Sequence, residues 1–135
     1  MIVVAGESTG TPSEKGIVVD AQRVLEYARS HPRLVNSPII LFGRSLGGAV
    51  ALSLYEKDPA AISSLILENT FLSISEMVDA LMPFLNYVRL LKNALLMLDW
   101  NNAKKITNVT APILFVAGLV LYPCIILCSI GCAWY

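Results

Sequence analysis

Short apolar runs alternate with longer amphipathic stretches along most of the chain. Three runs consist mainly of branched, aliphatic or aromatic residues, which is typical of strands buried on both faces of a parallel sheet. They cover residues 38–42, 62–67 and 112–117. A helix with apolar residues three and four positions apart is predicted from Leu46 to near Asp58. Strands joined by helices of ten or more residues pair in parallel through right-handed crossovers. The pattern therefore predicts an α/β fold, a three-layer α/β/α arrangement with a mainly parallel sheet.

The segment ahead of the first apolar run predicts an amphipathic helix. Thr11-Pro12-Ser13-Glu14 matches a capping box with proline at the first helical position, and the helix is expected to continue to about Ser30. Its apolar residues recur at spacings of three and four, so one side is expected to pack on the sheet. Upstream, Ile2 to Ala5 is expected to form a further strand.

Residues 70–108 are expected to form a helical, lid-like insertion within an incomplete core that covers residues 1–118. From Ser73 to Leu98 the chain is strongly apolar along one side and is broken by Pro83. A lid over an apolar substrate and a plain core helix both fit this pattern.

The candidate chemistry lies between the first buried run and the helix that follows it. Gly43-Arg44-Ser45-Leu46-Gly47 is a Gly-x-Ser-x-Gly pentapeptide, and in this setting it predicts a nucleophile elbow that exposes the serine hydroxyl at the carboxyl end of the sheet. Gly43 and Gly47 are expected to be glycine because a Cβ at either position would collide with neighbouring backbone. The Leu46 amide, at the start of the helix, would point at a developing oxyanion. An ordinary glycine-rich turn is the alternative interpretation.

Four separated segments together resemble the α/β-hydrolase fold family, and most of all its Bem-type branch. They are Gly6-x-Ser8-x-Gly10, the run 41–51 around Ser45, the run 68–74 and the run 112–118. The resemblance covers roughly residues 6–119 and keeps the order of the motifs. It implies a partial α/β-hydrolase fold and a serine hydrolase of carboxyl esters or acyl thioesters, in which Ser45 is the nucleophile and the Leu46 amide is half of the oxyanion hole. It also implies frequent tethering to membranes.

Two members of the family's catalytic triad have no match in the sequence. The family order is serine, then aspartate after the last matched strand, then histidine, yet neither residue type follows Gly118. The single histidine, His31, precedes the serine and is expected in a surface loop at the other end of the sheet. Glu68 is the one carboxylate placed to stand in for the acid. Because a serine without a base is a weak nucleophile, the isolated chain is expected to be inactive.

A strand of the family pattern is also unmatched. The family's usual strand order places it between the Ile2 strand and the Ile39 strand, so an unpaired apolar edge is expected there. On this interpretation the sequence is a fragment of a hydrolase.

Composition narrows the function classes further. The 135 residues include ten basic and ten acidic side chains without clustering, which argues against nucleic-acid binding. Residues 6–10 lack the ending of a phosphate-binding loop, and no cofactor is expected. Cys124, Cys128 and Cys132 share a helical spacing but have no histidine or carboxylate nearby in the sequence, so no metal site is expected.

Residues 119–135 form an apolar, cysteine-containing tail outside the family pattern. Residues 113–135 carry no charge and are long enough to span a bilayer, although Pro123 interrupts them. Three interpretations stay open: an end foreign to the hydrolase, from a truncated splice product or an erroneous gene model; a membrane-inserting tail, which predicts a membrane-associated protein; and an apolar cap on the sheet. The functional alternatives are a serine hydrolase acting on a small acyl ester or thioester, and a non-catalytic derivative that binds membranes or proteins through apolar surface.

Overall fold

The computed structural model describes residues 13–71, 73 and 100–117. In chain order they form α1 (Glu14–Ser30), β1 (Ile40–Arg44), α2 (Leu46–Lys57), a 3-10 helix (Pro59–Ala61), β2 (Ser64–Glu68), α3 (Asn102–Ile106) and β3 (Ile113–Val116). The strand predicted at Ile2–Ala5, nearly all of the helix predicted over 73–98 and the tail 119–135 lie outside the described residues. Within the described part of the chain, no helix is long and apolar enough to cross a membrane.

The three strands form one parallel sheet in the order β1-β2-β3. Leu41 lies opposite Leu65, and Leu65 lies opposite Ile113. This register confirms the predicted parallel α/β arrangement. The 3-10 helix and α3 were not predicted, because both are only one turn long and have no amphipathic repeat.

The strand bounds and the burial of the strands differ from the prediction. β1 begins at Ile40 and continues through Arg44, because its pairing with β2 extends past the apolar run to Glu68. The prediction that the strands are buried on both faces is wrong for β1 and β3, since Phe42 is 64% exposed and Leu114 is 58% exposed. Among the described residues, helices cover only one face of the sheet, and Phe42 and Leu114 lie on the other face.

α1 begins two residues later than the predicted capping box implies. Ser13 is the N-cap, in extended conformation, and its hydroxyl accepts a 3.1 Å hydrogen bond from the Gly16 amide. Glu14 is therefore the first helical residue and not the third, and it stabilises the positive end of the helix dipole. The predicted capping box starting at Thr11 is wrong because the Ser13 hydroxyl is the group that caps the first turn, through the Gly16 amide.

The core lies between the sheet and the helices. α2 is buried along most of its length and contacts β1, α1 and α3. Leu52 of α2 and Leu65 of β2 are fully buried at the centre of this core. A second group of side chains, at the start of α2, surrounds the fully buried Trp100; its other buried members are Val18, Ala49 and Phe71.

The Tyr55 hydroxyl joins the end of α2 to the segment that leads into β3. It lies 3.0 Å from the Thr110 hydroxyl and accepts hydrogen bonds from the amides of Thr110 (3.3 Å) and Ala111 (3.2 Å). The hydrogen bond with the Thr110 side chain, supported by the two amides, lowers the pKa of Tyr55 from its usual value. These contacts fix the entry of β3 relative to α2.

One side of β1 is open within the described residues, where β1 pairs only with β2. Between α1, α2 and β1 lies an apolar groove of about 370 Å³. Ile17, Val24, Leu41 and Leu54 are among its lining residues. This is the region in which the sequence predicts an unpaired apolar edge.

Candidate active site

The carboxyl end of the sheet brings three strand exits together. Because β1, β2 and β3 run parallel, the segments that follow them all leave at this end. Ser45 follows β1, Asn69 follows β2 and Ala117 follows β3. In open parallel sheets, ligands bind at this end.

Ser45 occupies a strained turn between β1 and α2. Its backbone has φ 51° and ψ −118°, a region that costs residues with a Cβ of order 1–3 kcal/mol and that clusters at functional sites. Its amide donates a 2.9 Å hydrogen bond to the Glu68 carbonyl, and its carbonyl accepts one of 3.0 Å from the Gly48 amide. The side chain is exposed. The turn predicted from the sequence is therefore present, with the serine at its apex.

Two glycines make this turn sterically feasible, and one of them was not predicted. A Cβ at Gly43 would lie 2.5 Å from the Gly47 carbonyl oxygen. A Cβ at Gly48 would overlap the Thr70 side chain. A Cβ at Gly47 would meet no atom within 4 Å in the structure, so the steric role predicted for Gly47 is wrong. The Gly47-Gly48 pair in the sequence was a signal that glycine is needed at position 48. The contact that requires it, between Gly48 and Thr70, arises only in the folded structure.

Leu46 is the first residue of α2, as predicted. Its amide belongs to the first four N–H groups of the helix, which have no acceptor within the helix. These amides point out of the helix start, where the dipole favours negative charge. The arrangement provides one hydrogen-bond donor next to the Ser45 side chain.

The segment after β2 supports the turn. Glu68 lies opposite Arg44 in the sheet, and its carboxylate is 3.8 Å from the Arg44 guanidinium, which is 70% exposed. Asn69 has φ 47°, and its amide donates a 2.8 Å hydrogen bond to the Val116 carbonyl. Thr70 is buried against Gly48. Glu68 therefore holds Ser45 through its backbone, and its role as a replacement acid stays a prediction.

His31 lies at the opposite end of the sheet, as predicted. It follows α1, its ring is 5.5 Å from that of Tyr27, and its Nδ1 accepts a 3.2 Å hydrogen bond from the Arg33 amide. The full length of β1 separates it from Ser45, which amounts to roughly 15 Å for five residues. The structure therefore does not bring the serine and the histidine together.

Buried side chains that sequence reasoning missed anchor the surroundings of the turn. Asn102, at the start of α3, is fully buried and donates a 2.8 Å hydrogen bond to the Phe71 carbonyl. Asn101 caps α3 by accepting a 3.1 Å hydrogen bond from the Lys104 amide. The Asn-Asn pair before a short helix was a local signal for this cap. Over the described ranges, no group of three histidine, cysteine, aspartate or glutamate residues could hold a metal ion.

Comparison with known proteins identifies the class to which this fold and site belong. A family model described as serine aminopeptidase, S33, matches residues 4–118. Because this match spans most of the chain, the chain belongs to that α/β-hydrolase family. The resemblance inferred from the separated motifs is confirmed.

Three curated relatives show how much of the family's length is present. α/β-hydrolase domain-containing protein WAV2 of Arabidopsis thaliana is 40% identical over 123 residues, which cover 84% of this chain and 40% of the plant protein. Protein bem46 of Schizosaccharomyces pombe is 48% identical over 79 residues, or 58% of this chain and 26% of that protein. An uncharacterized membrane protein of Saccharomyces cerevisiae is 36% identical over 116 residues, or 84% of this chain and 39% of that protein. The chain therefore spans two fifths or less of these relatives, and no solved structure matches it.

Proposed function

We propose that this chain carries the nucleophile of a serine hydrolase that cleaves carboxyl esters or acyl thioesters through Ser45. The observation that carries the proposal is the strained backbone of Ser45, with φ 51°, together with the exposure of this residue at the carboxyl end of the sheet. A structural turn has no reason to hold a serine in this conformation, whereas a nucleophile gains an exposed hydroxyl and a neighbouring helix start.

Each residue of the turn has a stated role in this reaction. The Ser45 Oγ attacks the acyl carbonyl, the bond to the alcohol or thiol leaving group breaks, and an acyl-serine forms. The Leu46 amide donates a hydrogen bond to the oxyanion of the tetrahedral intermediate. Gly43 and Gly48 allow the turn to form, and Gly47 is a helical residue beside it. Water then releases the acid and restores the hydroxyl.

The proton of the Ser45 hydroxyl needs a base from outside these 135 residues. The sequence contains one histidine, and His31 lies at the wrong end of the sheet. The relatives extend well beyond the matched segment, which leaves room for an aspartate and a histidine in a longer polypeptide. We therefore expect the chain by itself to lack turnover, because an oxyanion donor without a base retains little of the rate enhancement.

Esters and thioesters are proposed ahead of peptides, although the family model is described as a serine aminopeptidase. An amine leaving group must be protonated by a general acid as it departs, whereas a thiolate or an activated alkoxide leaves with much less assistance. Cleavage of esters and thioesters therefore depends less on the proton-transfer groups that these 135 residues do not supply.

Membrane association stays a prediction. Its support is the name of the Saccharomyces cerevisiae relative, an uncharacterized membrane protein, and the uncharged sequence after β3. The non-catalytic alternative has the same support together with the exposed apolar residues of the sheet. Sedimentation of the chain with phosphatidylcholine and phosphatidylserine vesicles tests the membrane association.

Covalent labelling with a fluorophosphonate tests the proposal. We expect no labelling of the chain alone, and labelling of Ser45 when a high concentration of imidazole supplies the missing base. Ser45→Ala should abolish the labelling, whereas Ser53→Ala, a change at a buried serine of α2, should not. Label that persists in Ser45→Ala, or no label at any imidazole concentration, would contradict the proposal. Labelling without imidazole would show that a base lies within the chain.

A further inference from the structure

The residues that follow β2 are each tied to a different part of the fold. We call residues 68–71 the support segment. The Glu68 carbonyl accepts a 2.9 Å hydrogen bond from the Ser45 amide, and the Asn69 amide donates one of 2.8 Å to the Val116 carbonyl. The first half of the support segment therefore connects the turn that carries the serine to strand β3.

The second half of the support segment contacts α2 and α3. The Thr70 side chain fills the space beside Gly48, in the first turn of α2. The Phe71 carbonyl accepts a 2.8 Å hydrogen bond from Nδ2 of Asn102, and both residues are buried. Because β2 ends at Glu68, these contacts, and not strand pairing, hold this half in place.

The helix that carries Asn102 is fixed by contacts of its own. The Asn101 side chain caps the first turn of α3, and its backbone forms an antiparallel bridge with Ser73. At the other end of α3, Lys105 Nζ donates hydrogen bonds to the Ser53 hydroxyl (2.6 Å) and the Glu14 carboxylate (3.3 Å). A donor on an element held in this way keeps its acceptor in one position.

The turn needs such support because its backbone is strained. A serine with φ 51° persists only where the surrounding structure over-determines its conformation. Asn69, in the support segment, also has a positive φ, of 47°. Loss of the hydrogen bond to the Phe71 carbonyl would let the support segment shift, and the Glu68 carbonyl and the Thr70 side chain would move with it.

We propose that Asn102 is a positioning residue for the nucleophile, which holds the Ser45 turn in its strained conformation through the support segment. Since Asn102 is fully buried, it acts through the Phe71 carbonyl and not on the substrate. The inference rests on the proposed function of Ser45, but the conformation of the turn can be measured without any reaction.

Hydrogen exchange of the Ser45 amide in the full chain measures how firmly the turn is held, because that amide is bonded to the Glu68 carbonyl. Asn102→Leu keeps a similar volume and removes the donor. We expect exchange at Ser45 to accelerate about tenfold or more relative to exchange at Leu52, in the buried middle of α2. The comparison with Leu52 separates a local change at the turn from a general loss of stability.

Tyr55→Phe is the matched control. It removes a buried hydroxyl that is hydrogen-bonded to Thr110, ahead of β3 and at the other end of the sheet. We expect it to change exchange at Ser45 and at Leu52 to the same extent, within about twofold. A relative acceleration at Ser45 as large as that in Asn102→Leu would overturn the proposal, because any weakening of the core would then loosen the turn.

Fluorophosphonate labelling in imidazole tests the consequence for the reaction. We expect the labelling rate of Ser45 to fall about tenfold in Asn102→Leu, since a misplaced nucleophile reacts slowly, and to change by less than about twofold in Tyr55→Phe. An Asn102→Leu chain in which either the relative exchange or the labelling rate equals that of the natural chain would overturn the proposal. If the natural chain takes no label, the proposed hydrolase fails, whereas amide exchange still decides whether Asn102 holds the turn.

Native-state exchange of the natural chain keeps the test decisive if Asn102→Leu does not fold. Exchange of the Asn102 Nδ2 protons and of the Ser45 amide is followed at increasing urea concentrations below the unfolding transition. We expect both groups to become exposed in the same opening step, at a lower free energy than the Leu52 amide. Opening of either group while the other stays protected would overturn the proposal.

Discussion

The carboxyl and amino ends of the sheet have opposite properties. At the carboxyl end, the backbone is strained at Ser45 and Asn69, which both have positive φ, and tight glycine contacts hold the turn. At the amino end, the backbone is relaxed, and His31 and the Arg29–Asp58 ion pair are at or near the surface. Strain and close packing are thus concentrated where the serine is exposed.

This difference indicates where the fold supports function. Strain persists only where the surrounding structure over-determines it, and here the Glu68 carbonyl, Gly48 and Thr70 do so. Among the described residues, no comparable set of close contacts surrounds His31 at the amino end. The same comparison predicts that substitutions at the carboxyl end will have larger effects than similar ones at the amino end.

The largest effect is expected at the first glycine of the turn. Gly43→Ala should lower the free energy of unfolding by about 3 kcal/mol, because its Cβ would meet backbone atoms that cannot move aside. Gly47→Ala should be neutral or stabilising by about 0.5 kcal/mol, since the new methyl group enters open space in a helix. Urea unfolding measures both. Equal costs for the two variants would remove the distinction between these glycines.

The contact between Gly48 and Thr70 is expected to be the next most sensitive. Gly48→Ala should cost about 2 kcal/mol, because the new Cβ overlaps the Thr70 side chain. Adding Thr70→Ala to the same chain should restore at least half of that loss by removing the overlapping atoms. A double-mutant cycle with no coupling would show that the two residues are not in contact.

The ion pair at the start of α1 is expected to contribute moderately. Lys105 donates hydrogen bonds to Ser53 (2.6 Å) and Glu14 (3.3 Å), and its Nζ lies 5.0 Å from the centre of the Trp100 ring. The pair is partly buried, with side-chain exposures of 17% for Lys105 and 30% for Glu14. Lys105→Met keeps the apolar stem and should cost about 1–2 kcal/mol by urea unfolding. A cost near zero would mean that solvent screens this pair like an exposed one.

The smallest effect is expected at the other end of α1. Arg29 and Asp58 form an ion pair with side-chain exposures of 54% and 38%, and exposed pairs contribute about 0.5 kcal/mol or less. Arg29→Met, the matched change, should therefore hardly alter the urea midpoint. A loss as large as that of Lys105→Met would show that the two ends of α1 are held equally tightly.

Much of the fold was predictable because its signals are local. Apolar runs located all three strands, amphipathic spacing located α1, and the glycine spacing located the turn at Ser45. Burial of the strands was wrong, since a run of apolar residues does not show whether a second layer covers the far face. The one-turn helix α3 carries no periodic signal.

The candidate site was predictable only in part, because its supports are tertiary. Gly43, Ser45 and Leu46 follow from one pentapeptide, but the need for glycine at position 48 arises from Thr70, which is distant in sequence. The hydrogen bond from the Ser45 amide to the Glu68 carbonyl likewise depends on strand register. The positive φ of Asn69 could have been suspected from the tolerance of asparagine for that conformation.

The pH dependence of Ser45 phosphonylation in imidazole tests the central claim most directly, namely that Ser45 is a nucleophile whose base comes from outside the chain. The rate should rise through the pKa of free imidazole and then level off, because the neutral ring accepts the serine proton. His31→Gln should give the same profile, since His31 lies at the opposite end of the sheet. A rate that is lost in His31→Gln, or that does not depend on imidazole, would contradict the account.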